Sequence, residues 1–435
     1  MSDFGNINIT GLGFITVMII SMFLLPRRLA VIPLILSLCF ITLGQRIEFG
    51  GMNFTVMRII ILSGWVRVLI YKETSEIKLN IIDKNLICWA IISVITYNLL
   101  IQSWDEVFRS FGHAYNAIGS YFLFRFMIRD FEDMERMIKI LAFIMVPLAI
   151  FMLMEKLTGR NMFSMFGGVP EITIEREGRL RAQGPFAHPI LAGSFAATSI
   201  ILFLGLCFEK APKRLAATGL LSAGFMMIAS ASSGPIMAFA AGMLGLIMWP
   251  FRRQTRAIFW LCLMAIISMH LLMKAPIWFL IGRLSHIIGG TGWHRAVLID
   301  EAIKHFNEWW VIGTLYTANW AIGNELILLP DNRNMVDITN QYIFIGVNGG
   351  IFPVIIFLAL IIFCFKEIGR SIRLIDDKNN NRKIIIWAMG ATLFAHSMSF
   401  TSVVYFDQTI IFFYLLLSMI ASLGQMSKEI LEKGG

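Results

Sequence analysis

Charge is what this chain has least of. Asp, Glu, Lys and Arg make up 15% of its 435 residues, against about 25% in soluble domains. Cysteine is scarce too, with five in all, each in or at the edge of an apolar run. None has zinc-site spacing, and a disulfide framework is not expected. The His-Glu-x-x-His motif, the Gly-x-Ser-x-Gly elbow and the glycine patterns of P-loops and dinucleotide-binding turns are all missing. These gaps argue against zinc-hydrolase, elbow-serine and nucleotide-driven chemistry.

What is present is apolar and periodic. Residues of types AVILMFWYC make up 57% of the chain, and the mean hydropathy is +0.72. About thirteen apolar runs alternate with short polar loops, at 9–25, 29–44, 54–71, 85–101, 113–128, 138–154, 187–207, 215–231, 235–250, 257–273, 341–365, 384–402 and 409–424. A run of roughly 20 apolar residues crosses a bilayer as a helix. Only helices and closed barrels satisfy their backbone in lipid. The expected fold class is therefore an all-α polytopic membrane protein with about 12–13 transmembrane helices, read as one transmembrane domain over 1–435. The second run is short for a full span.

Charge sets the orientation. The odd-numbered loops hold Arg27 and Arg28, Lys72, Lys78 and Lys84, Arg129, Arg136 and Lys139, Lys210, Lys213 and Arg214, Arg252, Arg253 and Arg256, and a group from Lys366 to Lys383 that includes Lys378. The short even loops carry only Arg46 and Arg109. By the positive-inside rule the odd loops and the C-terminus are cytoplasmic and the N-terminus lies outside. Asp3 precedes the first run and Arg27-Arg28 follow it, the reverse of a signal peptide, so that helix is expected to stay in the membrane. The net charge of +9 sits at span ends. That placement speaks for topology and against nucleic acid.

Two outer loops break the short pattern, at 155–186 and 274–340. Loops this long are usually functional or disordered. The aromatic content of the second, with Trp293, Phe306, Trp309, Trp310 and Trp320, argues for a folded cap. Within it, 293–310 has the spacing of an amphipathic helix lying in the headgroup layer.

The candidate chemistry lies in these loops. Arg179 and Arg181 precede the turn Gly184-Pro185, where the chain enters the seventh run. An arginine fork suits bidentate phosphate binding; interfacial anchoring or pairing with Glu175 or Glu177 are the alternatives. His188 is a general acid–base candidate or a hydrogen-bonded helix start. His294 and Arg295 could face the first loop, or only pack. Asp337 and Asn340 precede the eleventh run and Tyr342 stands at its start; capping is the default role for the polar pair. Arg58, inside the third run, either snorkels or points into a cavity.

Together these residues resemble the O-antigen ligase and Wzy-type polysaccharide polymerase superfamily of bacterial inner-membrane glycosyltransferases. The resemblance rests on Arg58 in an early span, Tyr121-Phe-Leu-Phe-Arg125, and Arg181-x-x-Gly184-x-Phe186-x-His188-Pro189. It also rests on Ser232-Ser-Gly-Pro235 and on a large loop running from Trp293-His294-Arg295 to Asn340-x-Tyr342, before Gly349-Gly350. It implies a GT-C-like helical fold with the active site under the large periplasmic loop. It implies a polyprenyl-pyrophosphate-linked glycan donor, such as one on undecaprenyl pyrophosphate, with no nucleotide sugar, cofactor or metal. The pyrophosphate ligands would fall on Arg181 and Arg295, with Arg179 beside them. His294, Asn340, Tyr342 and Arg58 would line the substrate. Ligases carry a His-Asn pair before this span as the base, and here the stretch is Thr339-Asn340. That departure leaves Asp337 or His188 as base and shifts the expectation from ligase to polymerase. A flippase and a chain-length regulator are the partners that the resemblance implies. A transporter of lipid-linked glycan without chemistry is the reading of a different class. Transporters usually show inverted repeats, and none is evident here.

Overall fold

The computed structural model describes residues 7–49, 52–74, 77–208, 213–288, 292–320, 326–328, 334–375 and 380–434. Lys210 and Lys378 lie outside the described residues, as do 289–291, 321–325 and 329–333 of the long loop.

The chain is an all-α polytopic membrane protein. It opens with α1 (Ile9–Leu24), α2 (Val31–Phe40) and α3 (Val56–Ile70), then α4 (Ile81–Ile101), α5 (Trp104–Met127) and α6 (Phe131–Thr158). Next come α7 (Pro189–Leu206), α8 (Lys213–Ala229), α9 (Ser233–Ile247) and α10 (Thr255–Leu272). The long loop holds α11 (Phe279–Ile288), α12 (Gly292–Lys304) and α13 (Phe306–Trp309). The chain closes with α14 (Gln341–Gly349), α15 (Ile351–Leu374), α16 (Asn380–Ser399) and α17 (Thr409–Gly434). Three antiparallel hairpins sit between helices: β1–β2 (Arg46–Phe49, Met52–Thr55), β3–β4 (Ile174–Arg176, Arg179–Arg181) and β5–β6 (Leu326–Leu328, Asn334–Val336). Among the described residues, six helices are long and apolar enough to cross a membrane: α4, α6, α7, α10, α15 and α17.

Helix α7 is the centre of the bundle, buried over almost its whole length. It packs against α6, α8, α9, α16 and α17. Small residues let these helices close in, as where Gly205 of α7 meets Ala388 of α16. At the other extreme, none of the residues of α10 is buried.

Several boundaries differ from the hydropathy reading, each for a local reason. The second run yields only the ten residues of α2. Its chain turns off to lay Gly44 against the backbone of Gly167 and Gly168. The fifth helix begins at Trp104, not 113; its first turns carry Asp105, Glu106 and Arg109 and are too polar to register as apolar. The eleventh run, 341–365, is two helices. Gly350 adopts φ +80 between them, and a Cβ there would lie 2.2 Å from the Val311 carbonyl oxygen. The loop is stitched into this break by Ile351 N–H to Trp310 O (2.9 Å) and Thr314 N–H to Val347 O (2.8 Å). The amphipathic stretch 293–310 is likewise not one helix, because α12 stops at Lys304 and α13 restarts at Phe306.

The long loop folds as a cap with a small core that it shares with α14. Leu298, Ala302, Trp309, Trp320, Val336 and Val347 are buried together. Trp309 Nε1 donates to Ala302 O at 2.8 Å, so the indole is packed and satisfied.

Candidate functional site

One cavity of about 1590 Å³ opens between the cap and the bundle. It is lined by the last residues of α4, the first turns of α5, the end of α6, the β3–β4 hairpin, the α8–α9 turn, α12, the start of α14 and the α16–α17 link. Those chain positions all belong to one end of the bundle. From there the cavity reaches Trp89 midway along α4, and Phe357 and Tyr414 on α15 and α17. It has a cationic pole, with Lys156, Arg176, Arg179, Arg181 and Arg295, and an apolar wall, with Trp89, Val94, Phe344, Ile345 and Phe357. A site so divided suits an amphipathic ligand with an anionic head.

Arg181 is placed by a hairpin. It ends β4, paired across to Ile174. Its guanidinium is inside, at 8% exposure, where Nη2 donates to Ser232 Oγ (2.7 Å) and Nε to Ser230 O (3.5 Å). The next residue, Ala182, donates its N–H to Ala229 O at 3.1 Å, which sews the hairpin to the end of α8. Glu155, buried near the end of α6, receives the N–H groups of Gln183 (3.1 Å) and Gly184 (2.8 Å). Lys156 donates to Leu180 O. Burial lowers the Arg181 pKa, Arg176 adds to that, and Glu177 opposes it.

His188 caps α7. Its Nδ1 accepts the Ile190 N–H at 3.2 Å, with Pro189 as the first helical residue. The neutral ring then carries its hydrogen on Nε2. Burial, followed by the charges of Arg181 and Arg176, pushes the pKa down to about 4. Asp407 holds the same corner from the α16–α17 link. Its carboxylate accepts Ala187 N–H (3.0 Å) and Thr409 N–H (2.8 Å), and burial pushes its pKa up.

Arg295 comes from the cap. It is 4% exposed on α12, and its one hydrogen bond among the described residues runs from Nη1 to the Met237 sulfur at 3.6 Å. Burial and Arg176 bring its pKa down to about 10. Among the described residues, no carboxylate lies within ion-pair distance of Arg181 or Arg295. His294 Nε2 donates to the Asp337 carbonyl at 3.3 Å, which ties α12 to the strand before α14. The exposed Asp337 also lines the cavity.

Six of the residues singled out in the sequence thus share one cavity: Arg179, Arg181, His188, His294, Arg295 and Asp337. Three do not line it. Asn340 caps α14 by accepting the N–H groups of Tyr342 (3.0 Å) and Ile343 (3.2 Å). Tyr342 packs on Phe357 and Phe400 and donates to Ser397 O at 3.0 Å. Arg58 lies against Gly112, with Nε 3.4 Å from Asn116 Oδ1.

Other residues that build the site carried no motif. Glu155 and Asp407 act on backbone N–H groups, and the only sequence signal was a lone acid at a span end or in a bare loop. Thr339 Oγ1 is buried with no hydrogen-bond partner among the described residues. On α4 and α5, Tyr97 donates to Glu106 (2.7 Å), Arg109 pairs with Glu106 (2.8 Å), and His113 faces the same space. Among the described residues no cluster of His, Cys, Asp and Glu could hold a metal ion. No protein-family model matches this chain, and no curated protein matches it.

Proposed function

We propose that the protein is a membrane glycosyltransferase that polymerises lipid-pyrophosphate-linked oligosaccharide repeat units into a surface polysaccharide. The observation that carries this reading is the pair of buried guanidinium groups, Arg181 and Arg295, that have no carboxylate partner among the described residues and sit at the head of an amphipathic cavity. Buried cations are normally paired. Two that are not, on separate elements facing one space, suit a polyanionic group that arrives with the substrate.

The reaction follows from the charges. An acceptor hydroxyl oxygen bonds to the anomeric carbon of the donor sugar. The bond from that carbon to the pyrophosphate oxygen breaks, and its electron pair leaves on the lipid pyrophosphate. Arg181 and Arg295 stabilise that growing charge, in the manner of preorganised donors elsewhere. The hydroxyl proton passes to a base. Asp337, exposed in the cavity, suits that task better than His188, whose Nδ1 already accepts the Ile190 N–H. The apolar wall would take the polyprenyl chain, and the cluster at Tyr97, Glu106, Arg109 and His113 could hold sugar hydroxyls.

By charge placement the cavity end faces the periplasm of a bacterial inner membrane, with the N-terminus there and the C-terminus in the cytoplasm. In this reading the helices make 12–13 spans of a GT-C-like fold. Transfer to a lipid or protein acceptor, as in ligases, is the neighbouring activity; Thr339-Asn340, where ligases carry His-Asn, favours the polymerase. The test is a product gel from protein in nanodiscs, supplied with lipid-pyrophosphate-linked repeat units. A ladder that vanishes in Arg181→Ala is expected. Transfer only to an added acceptor would make the protein a ligase. No product from folded protein with authentic substrate would overturn the reading.

A further inference from the structure

Helix α9 starts against the cavity, and among the described residues no side chain caps its first N–H groups. Ser232 is its N-cap residue, but the side chain does not cap. Its hydroxyl donates to Ser230 O (2.9 Å) and accepts from Arg181 (2.7 Å). Ser233 and Gly234 are the first two helical residues, and N–H groups at those positions have no intrahelical acceptor. Pro235 follows and has no N–H to offer. Ser232 and Ser233 line the cavity. The helix is 15 residues long, so its positive dipole end adds to the local field.

Arg295 supplies an independent observation at the same place. It is 4% exposed, and among the described residues it bonds only to the sulfur of Met237, one turn into α9. Its Nη2 lies 3.5 Å from where a Cβ on Gly234 would sit, so the guanidinium packs on the first turn of that helix. A buried charge with only a thioether for a partner is costly until an anion joins it.

We infer that the N-terminus of α9, Arg295 and Arg181 form a single cradle for a phosphate group. In it the main-chain N–H groups of Ser233 and Gly234 donate beside the two guanidiniums. Donors converge from a helix end, the cap and the hairpin. That suits the several oxygens of a phosphate or pyrophosphate better than the two of a carboxylate. The inference rests on the reading of the cavity as a lipid-pyrophosphate site, and it names main-chain atoms that share the binding.

Proline at position 233 separates the backbone from the side chain. The first helical position tolerates proline. The preceding residue, Ser232, has φ −128 and ψ 132, the extended conformation proline requires before it. Ser233→Pro removes one N–H, whereas Ser233→Ala removes the hydroxyl and keeps the N–H. Full-length protein in detergent would be titrated with inorganic phosphate, inorganic pyrophosphate and farnesyl pyrophosphate, after thermal melts establish that both variants fold. Wild type and Ser233→Ala should bind alike, and Ser233→Pro about tenfold more weakly, the loss of one charge-assisted hydrogen bond. Binding of farnesyl pyrophosphate alone would assign the cradle to lipid-borne phosphate. Binding of the inorganic anions as tightly would assign it to phosphate from any source. If folded Ser233→Pro binds as Ser233→Ala does, the α9 cradle is wrong while the arginine site stands. If wild type binds none of the three, both fall.

Discussion

The two ends of the bundle treat arginine in opposite ways. At the end away from the cavity every buried arginine described has a carboxylate. Arg125 of α5 meets Asp83 of α4 at 3.3 Å, with Tyr121 and Ser422 completing the network. Arg67 is held by Glu73 through two contacts of 2.8 and 3.0 Å, and the half-buried Arg27 likewise reaches Asp133 at 2.9 Å. At the cavity end Arg181 and Arg295 are as well buried, and their neighbours are serine oxygens and a sulfur. Neutralised cations tie helices together. Cations left without a counter-charge keep their field for something that is not part of the chain.

Replacing one arginine at each end is the sharpest way to break that contrast. Arg295→Met should leave melting in detergent unchanged or raised, since it removes an uncompensated buried charge, while product formation falls by about 10²–10³. Arg125→Met leaves the Asp83 carboxylate buried without its cation, and should cost about 3–5 kcal/mol of stability. If the two variants exchange these effects, the contrast between the ends is lost.

A smaller effect is expected where a carboxylate serves the cavity end indirectly. Glu155 holds two backbone N–H groups of the turn after Arg181. Glu155→Gln keeps the shape but gives up one accepting oxygen. A loss of about 1–3 kcal/mol in melts is expected, with a several-fold fall in activity as the hairpin loosens. Unchanged melts would show that the turn holds without the carboxylate.

The smallest effect is a pH dependence at His188. Its folded pKa, about 4, lies below the ordinary 6.5, so the unfolded chain takes up the proton first. The contribution to stability is full above pH 6.5 and is lost as pH falls towards 4. Asn caps helices well, so His188→Asn should keep α7 capped while flattening the melting profile in that window. A profile that does not change would remove His188 as the titrating group.

Hydropathy made the helices legible, because a lipid-spanning segment must be apolar along its length. It failed where tertiary contacts decide the outcome. The break at Gly350 exists because the loop at Val311 packs into it, and the early start of α5 hides behind Asp105, Glu106 and Arg109. The cavity gathers the loops that are short of basic residues together with the two long ones. Arg181 and Arg295 stood out as arginines in long loops. Asn340 carried a polar signal that capping explains. Glu155 and Asp407 were invisible as site-builders, since a carboxylate that accepts backbone N–H groups from a distant turn leaves no spacing to read.

The most direct test of the central claim is a structure of the protein in nanodiscs bound to a lipid-pyrophosphate-linked repeat unit. Pyrophosphate density is expected within hydrogen-bonding distance of both the Arg181 and Arg295 guanidiniums, with the lipid chain along the apolar wall at Trp89 and Phe357. A pyrophosphate bound elsewhere, with both guanidiniums still facing an empty cavity, would contradict it.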